Sequence, residues 1–521
     1  MFIHVTDPYL WLPVDQKAPE VKLHFYCDDS KIQEVDIQLG GPDRNFYVSM
    51  NVNKYLGRDI LIEGDVEEEK LASVFCYGEK ARYVYPFRPQ IHFSPETGWI
   101  NDPNGLVFAD GVYHLYYQWN PYGIIWGNMH WGHAVSRDLI TWEHRPMAME
   151  PDEYGPVFSG CGWQDKENAA GFGKNALLFF YTASGGNNQW SIDAGNQHTQ
   201  RLAVSLDGGE TLRKTEGTIL DHMTDENRDP KIFYHRKSGA YVMVLFLDGY
   251  EFAVFRSADL LRWHETQRFS AEGMRECPDL FELSVANVPD EKKWVFWSAD
   301  GYYLVGDFDG SRFTPESEVL SAYGTRLPYA AQTYAGTGDR TISVAWLRTE
   351  NDRGNYKGMM SLPSELSLVK CDNGYRIRFG LTKEFMDHRL PYREAGSCER
   401  GLELRLKGKP VEVVLKCGAE KTGHAGLIIG NVRFDIQFDK GRMEILHPGN
   451  HPETVAVSFE PKKAFDMDWI IDQGVIEFYG NDGLIYGAVE PEENILHKSL
   501  VLEVDAELET MQIYTIQNDT M

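Results

Sequence analysis

Three carboxylates in this chain lie in or beside proline-stiffened turns. They are Asp102 in Asn101-Asp102-Pro103-Asn104-Gly105, Asp229 in Arg228-Asp229-Pro230, and Glu276 in Glu276-Cys277-Pro278. Proline fixes its own φ and restricts the residue before it, so these acids are presented by stiff backbone. Acids held in this way suit acid/base work on a bond that breaks through a cationic transition state, and a glycosidic bond is such a bond. Each has a plainer reading when taken alone. Asp-Pro is usually a turn or a helix cap, Asp102 could serve only its Asx turn, and Glu276 could simply end a strand.

The elements are short alternating runs closed by turn signals. Leu106-Val107-Phe108 and Val112-Tyr113-His114-Leu115-Tyr116-Tyr117 flank Asp110-Gly111, a hairpin signature. Val295-Phe296-Trp297 and Tyr302-Tyr303-Leu304-Val305 flank Ser298-Ala299-Asp300-Gly301 in the same manner. Helical periodicity is scarce, with one short candidate at 383–389. The chain reads as all-β.

A weak repeat runs through the middle. Ala134-Val135-Ser136-Arg137-Asp138-Leu139-Ile140-Thr141-Trp142 resembles Val254-Phe255-Arg256-Ser257-Ala258-Asp259-Leu260-Leu261-Arg262-Trp263. Ala203-Val204-Ser205-Leu206-Asp207-Gly208-Gly209 and Gly306-Asp307-Phe308-Asp309-Gly310 echo the strand-then-turn core. A recurrence of roughly 50–70 residues is the scale of β-propeller blades with insertions. Four repeats can be counted. Residues 1–87 and 391–521 lack the repeat, and both read as β-sandwich-like flanks around a middle region at 88–390.

Composition narrows the partners. The 521 residues carry a formal charge of −27. That argues against nucleic acid, whose phosphates need Lys and Arg to replace counterions. No apolar run is long enough for a membrane helix. Seven cysteines, an odd number without a CxxC pair, fit reduced thiols better than disulfides or zinc. The opening Met1-Phe2-Ile3-His4-Val5-Thr6-Asp7 has no secretory pattern. A cytoplasmic protein is expected if Met1 is the natural start. His130 and His133 have ligand-like spacing without a third ligand, so they are expected to pack and hydrogen-bond.

The ordered motifs also resemble a known family. They are His92-Phe93-Ser94-Pro95 with the Asn-Asp-Pro-Asn-Gly turn, Tyr117-Gln118-Trp119-Asn120-Pro121, Trp126-Gly127-Asn128-Met129-His130-Trp131-Gly132-His133, Phe158-Ser159-Gly160, Arg228-Asp229-Pro230 and Glu276-Cys277-Pro278. From about 88 to 370 the chain resembles glycoside hydrolase family 32, the invertases, inulinases and levanases that act on β-D-fructofuranosides. The resemblance implies a five-bladed propeller followed by a C-terminal β-sandwich, with the fifth blade supplied by the family. It implies Asp102 as nucleophile, Glu276 as general acid and then base, and Asp229 as transition-state stabiliser. Arg228 would orient Asp229 or a sugar hydroxyl. Asn101, Gln118, Trp126, Phe158 and Ser159 would line the pocket for a terminal fructose, with Trp99 and Trp346 as weaker candidates. No metal and no cofactor is implied.

Burial and neighbouring charge would raise the pKa of Glu276, while hydrogen bonds would keep Asp102 ionised. Cys277 would either tune the acid or lie inert. The expected activity is retaining, exo-type release of fructose from fructo-oligosaccharides, sucrose or fructans. A fructosyltransferase, or a sugar-binding propeller without activity, stands as the alternative. Departures from the family pattern fall at Arg275, Cys161, Ser364 and residues 322–332, on the leaving-group side. Linkage preference and oligomeric state are not legible.

Overall fold

The computed structural model describes the whole chain except residues 82–86, 351–353, 396–400, 419–422, 447–452, 457–463 and 519–521. Cys398 lies outside the described residues. The architecture is almost entirely β, with three α-helices of four or five residues among the described elements. One of them, Lys383–Asp387, falls where the sequence suggests a helix, and Thr382 caps it by accepting from Phe385 N.

The first 77 residues form two small sheets. One orders Phe2–His4, Asp59–Glu63, Val21–Cys27 and Ser30–Ile37; the other orders Phe46–Asn51, Tyr9–Val14 and Phe75–Tyr77. Alternation decides which faces meet. Leu10, Leu12, Leu23, Phe25, Val35, Ile37, Val48 and Ile60 turn inward and make a shared core.

From Gly98 to Leu381 five sheets follow one another along the chain. Their first strands are Gly98–Ala109, Val157–Asp165, Arg228–His235, Asp279–Ser284 and Pro328–Thr333. Each sheet then continues outward through antiparallel neighbours. The first strands of the first three sheets lie against one another, and that of the fifth returns to lie against the first. This arrangement is consistent with a β-propeller followed by a β-sandwich.

The repeat has a structural cause. Ser136, Ser205 and Ser257 each end the third strand of a sheet. Their hydroxyls donate to Asp138, Asp207 and Asp259, at 3.0, 2.7 and 3.1 Å. Those carboxylates then accept backbone N–H groups two to four residues on, from Ile140 and Thr141, from Thr211, and from Leu261 and Arg262. Asp309 makes the equivalent turn in the fourth sheet, accepting from Ser311 N and Arg312 N. The fifth sheet passes from its third to its fourth strand through Asp372-Asn373, a different turn. It therefore leaves no trace in the repeat.

Two six-stranded sheets complete the chain, the first opening with Arg389–Ala395 and the second with Leu402–Arg405. They enclose one core that includes Val413, Leu427, Phe434, Trp469 and Phe478. A buried ion cluster ties the first of them to the middle region. His92, in the His-Phe-Ser-Pro motif, bonds Asp472 through Nδ1 and Glu477 through Nε2, each at 2.9 Å, and all three side chains are fully buried. Asp472 also accepts from the backbone N–H of Gln90, Ile91 and His92.

Candidate active site

The first strand of four of the five middle sheets carries a break in register. The breaks fall between Ile100 and Pro103, Val157 and Gly160, Arg228 and Lys231, and Tyr329 and Gln332. A bulge inserts an extra residue and re-aims side chains out of the pleat. Three of these bulges hold residues expected at the site: Asn101 with Asp102, Phe158 with Ser159, and Asp229. Gly105 lets the first strand stay close to its neighbour. It adopts φ 56°, and a Cβ there would meet Tyr116 Cδ2 at 2.6 Å.

Backbone strain is also present here. Asp229, Glu276 and Cys277 all have positive φ, at 65°, 54° and 41°. Asp229 and Cys277 both precede proline, where extended backbone is favoured. Such conformations cost on the order of 1–3 kcal/mol each and persist where the surroundings over-determine them.

The three carboxylates converge on Cys277. Its thiol lies 3.5 Å from Asp102 Oδ2 and 3.6 Å from Asp229 Oδ2, and its backbone N–H donates to Asp229 Oδ2 at 2.9 Å. Asp102 accepts from Ser159 Oγ at 2.6 Å and from Asn101 Nδ2 at 3.1 Å. Asn101 in turn accepts from the Trp99 indole. Asp229 N donates to Thr182 Oγ1, whose hydroxyl donates to Gln200. Glu276 is held on both oxygens, by Arg228 Nη2 at 2.9 Å and by the Tyr329 hydroxyl at 2.9 Å.

Depth separates the acids. The Asp229 side chain is nearly sealed at 4 % exposure, whereas that of Glu276 keeps 33 %. Burial pushes Asp229 up to about 7; Arg228 opposes this, and the charges of Asp102 and Glu276 add to it. Asp102 is also raised, by burial first, with the Ser159 and Asn101 hydrogen bonds pulling down and Glu276 pushing up. The hydrogen bonds expected to keep Asp102 ionised are present and pull its pKa down, against the larger upward push of burial. Burial, followed by the three neighbouring carboxylates, drives the Cys277 thiol far above its ordinary range. It is a neutral donor here and not a reactive thiolate. Burial works against charge on Arg228, yet Asp229, Glu276 and Glu226 together hold it firmly protonated.

Arg228 grips Glu276 and Glu226 more closely than Asp229, whose nearest approach is 3.9 Å. Arg228 is nonetheless the charge that most opposes the rise of Asp229. Gln118 is buried, with Nε2 donating to Val157 O and Oε1 without a protein partner. Trp126 sits at the rim with 56 % exposure and meets Phe158 edge-on at 6.0 Å. Trp99 and Trp346 also pair, at 5.6 Å, and Trp346 packs on Tyr329 at 6.1 Å. All nine expected site residues thus belong to one connected neighbourhood.

His130 and His133 lie elsewhere. His133 stacks on Tyr116 and hydrogen-bonds His114, and His130 faces Gln33. Among the described residues no group of three or more His, Cys, Asp or Glu could hold a metal ion. Nor is any helix among them long and apolar enough to cross a membrane.

The model for the glycosyl hydrolases family 32 N-terminal domain matches residues 92–378, more than half the chain and all of the three carboxylates. The chain belongs to glycoside hydrolase family 32. Among curated family members, the levanase of Bacillus subtilis is 38 % identical over 330 residues, 57 % of this chain and 47 % of that protein. The extracellular exo-inulinase of Aspergillus niger is 31 % identical over 344 residues, 56 % of this chain and 64 % of that one. The chain thus spans between about half and two thirds of the length of these relatives. The solved exo-inulinase of Aspergillus awamori overlays with a TM-score of 0.74 at 23 % identity, covering 84 % of this chain and all of that one. A fructofuranosidase of Schwanniomyces occidentalis, solved with fructosylnystose, gives 0.74 at 24 % identity, covering 84 % and 99 %. These overlays establish a shared fold.

Sequence reasoning missed Tyr329 and Thr182. Tyr329 lies within residues 322–332, marked in the sequence only as a departure from the family pattern. No sequence signal marks Thr182, which reaches Asp229 only through a neighbouring sheet.

Proposed function

We propose that this family 32 protein is a retaining β-fructofuranosidase that releases terminal fructosyl units from fructo-oligosaccharides, sucrose or fructans. The observation that carries the proposal is the gathering of Asp102, Asp229 and Glu276 around Cys277, with Arg228 and Tyr329 holding Glu276. An Asp102 oxygen forms a bond to the anomeric carbon as the glycosidic C–O bond breaks. Glu276, the more exposed acid, gives its proton to the leaving oxygen. It then takes a proton from water, whose oxygen attacks the same carbon and frees Asp102. Asp229, deep in the pocket, accepts sugar hydroxyls and stabilises positive charge at the ring. Gln118 Oε1 offers a further acceptor, and Trp126 and Phe158 offer apolar faces.

In this reading the five consecutive sheets are the blades of a propeller spanning 88–390. Residues 1–87 are an N-terminal accessory β-domain, and 391–521 a C-terminal sandwich. The levanase and exo-inulinase names of the curated relatives support fructan or fructo-oligosaccharide substrates. One feature favours transfer as a second outcome. Arg348 stacks on Tyr329 at 4.3 Å, which in turn packs on Trp346. Together they form a wall next to Glu276 on which an acceptor sugar could rest.

The test is incubation of purified protein with sucrose, kestose, inulin and levan, with products resolved by chromatography. Free fructose as the main product supports hydrolysis. Longer oligomers at high sucrose indicate transfer, and no reaction with any of the four overturns the proposal.

A further inference from the structure

Among their contacts with the body, the N-terminal sheets hold two loops, one carrying the rim residue Trp126 and the other packing on the rim residue Phe158. The first, residues 121–129, holds Trp126. Its Tyr122 and Ile124 are buried in the core of the N-terminal sheets themselves. Asn128, at φ 45°, accepts from Asp36 N at 2.8 Å. It also donates to Asp36 O at 2.7 Å and to Asn120 at 3.1 Å. Asn120 fixes the rest of the loop, donating to Ile125 O and accepting from Tyr122 N. Trp126 is therefore exposed on a loop anchored before it by Tyr122 and Ile124 in the N-terminal core and after it by Asn128 on the strand Ser30–Ile37.

The second loop runs from Ser184 to His198. Glu34, on the same strand, accepts from Gln189 N at 2.8 Å while Lys22 and Lys31 balance its charge at 3.1 and 3.3 Å. Lys31 lies over the Trp190 ring. At the loop's end His198 bonds Ser184 and Asn187 and packs edge-on against Phe158. One strand of the accessory sheets thus reaches both rim aromatics, Trp126 through Asp36 and Phe158 through Glu34.

We propose that the strand Ser30–Ile37 is a strut that positions Trp126 and Phe158, so that the N-terminal sheets set how tightly the terminal sugar is held. The inference rests on the fructoside reading above. Asn128 and Glu34 are positioning residues that act through the aromatic rim. An apolar face contacts the sugar before and during reaction, so loosening it weakens binding without slowing the chemical step.

Steady-state kinetics on sucrose and kestose test this. Asn128→Gly suits the positive φ and deletes the bonds to Asp36. It should raise KM about fivefold, with kcat within about twofold of wild type. Trp126→Ala should raise KM further, and the double variant should match Trp126→Ala alone, because the strut works through that ring. Asn128→Asp keeps the acceptor and tolerates the same φ, so its KM should fall between wild type and Asn128→Gly. This variant carries the test if Asn128→Gly does not fold. Lys54→Ala removes an exposed ion pair with Glu150 and a contact with the Tyr55 ring, both away from the strand Ser30–Ile37, and should leave KM unchanged. An unchanged KM in both Asn128 variants overturns the strut, as does a double variant whose effects multiply. A wild-type protein that cleaves none of sucrose, kestose, inulin and levan overturns the fructoside reading itself.

Discussion

Two groups of buried charge organise the middle of this molecule, and they are built on opposite plans. Around His92 one cation lies between two carboxylates whose other oxygens are satisfied by backbone and hydroxyl donors. The imidazole sits between Asp472 and Glu477, and Asp472 is further satisfied by three backbone N–H groups. Burial works against the charged imidazole, but its two carboxylate partners raise it to about 9. Burial also works against Asp472, yet the bonds to His92 and the backbone keep it below its usual range. Around Asp102 the count does not balance. Three carboxylates share one guanidinium and one thiol, and both Asp102 and Asp229 are pushed upward. The first cluster holds two regions of the fold together. The second stores electrostatic and backbone strain, which is where chemistry is expected.

Substitutions in the two clusters should have opposite consequences. The largest effect should follow Glu276→Ala, with turnover of kestose reduced by about four powers of ten while the melting temperature is kept. Next comes His92→Gln, which leaves two buried carboxylates without their cation. It should cost about 3–5 kcal/mol in chemical denaturation while activity of the folded fraction persists. The pH dependence carries the sign. His92 is raised in the fold from 6.5 to about 9, so its contribution is complete below pH 6.5 and is lost as pH rises through about 9. The stability gap between wild type and His92→Gln should therefore be wide at pH 6 and narrow by pH 10.

Asp229→Asn should do the reverse, abolishing most activity but raising the melting temperature. The carboxyl is raised from 3.8 to about 7, so it favours the fold below pH 4 and costs stability as pH rises through 7. The gain of Asp229→Asn over wild type should thus appear between pH 4 and 8 and be largest at the top of that range. Differential scanning fluorimetry across pH would measure both gaps. The smallest effect is expected from Tyr329→Phe, which removes one of the two bonds to Glu276. It should lower kcat/KM about tenfold with stability unchanged.

Much of this was legible from short-range patterns. Asp110-Gly111 marks the hairpin between Gly98–Ala109 and Val112–Asn120, with both residues at positive φ. The Ser-x-Asp turns mark three third-strand ends, and the Asp309 turn a fourth, because each is a local hydrogen-bonded unit. The fifth sheet lacked that turn and stayed invisible. At the site, Asp102, Asp229 and Glu276 were legible because proline accompanies each of them. Tyr329 was not, since its bond to Glu276 spans 53 residues and depends on a register break in its own strand. His92 belonged to a recognisable motif, but its partners lie some 380 residues away, so no local pattern could reveal its structural task.

The central claim is that the unbalanced cluster performs the reaction and is not needed for the fold. Turnover of kestose and the melting temperature of Asp102→Ala, taken on the same preparation, test it most directly. We expect fructose release to fall by about four powers of ten or more, with a melting temperature equal to or above that of wild type. Near-normal turnover, or a loss of activity that merely follows unfolding, would contradict it.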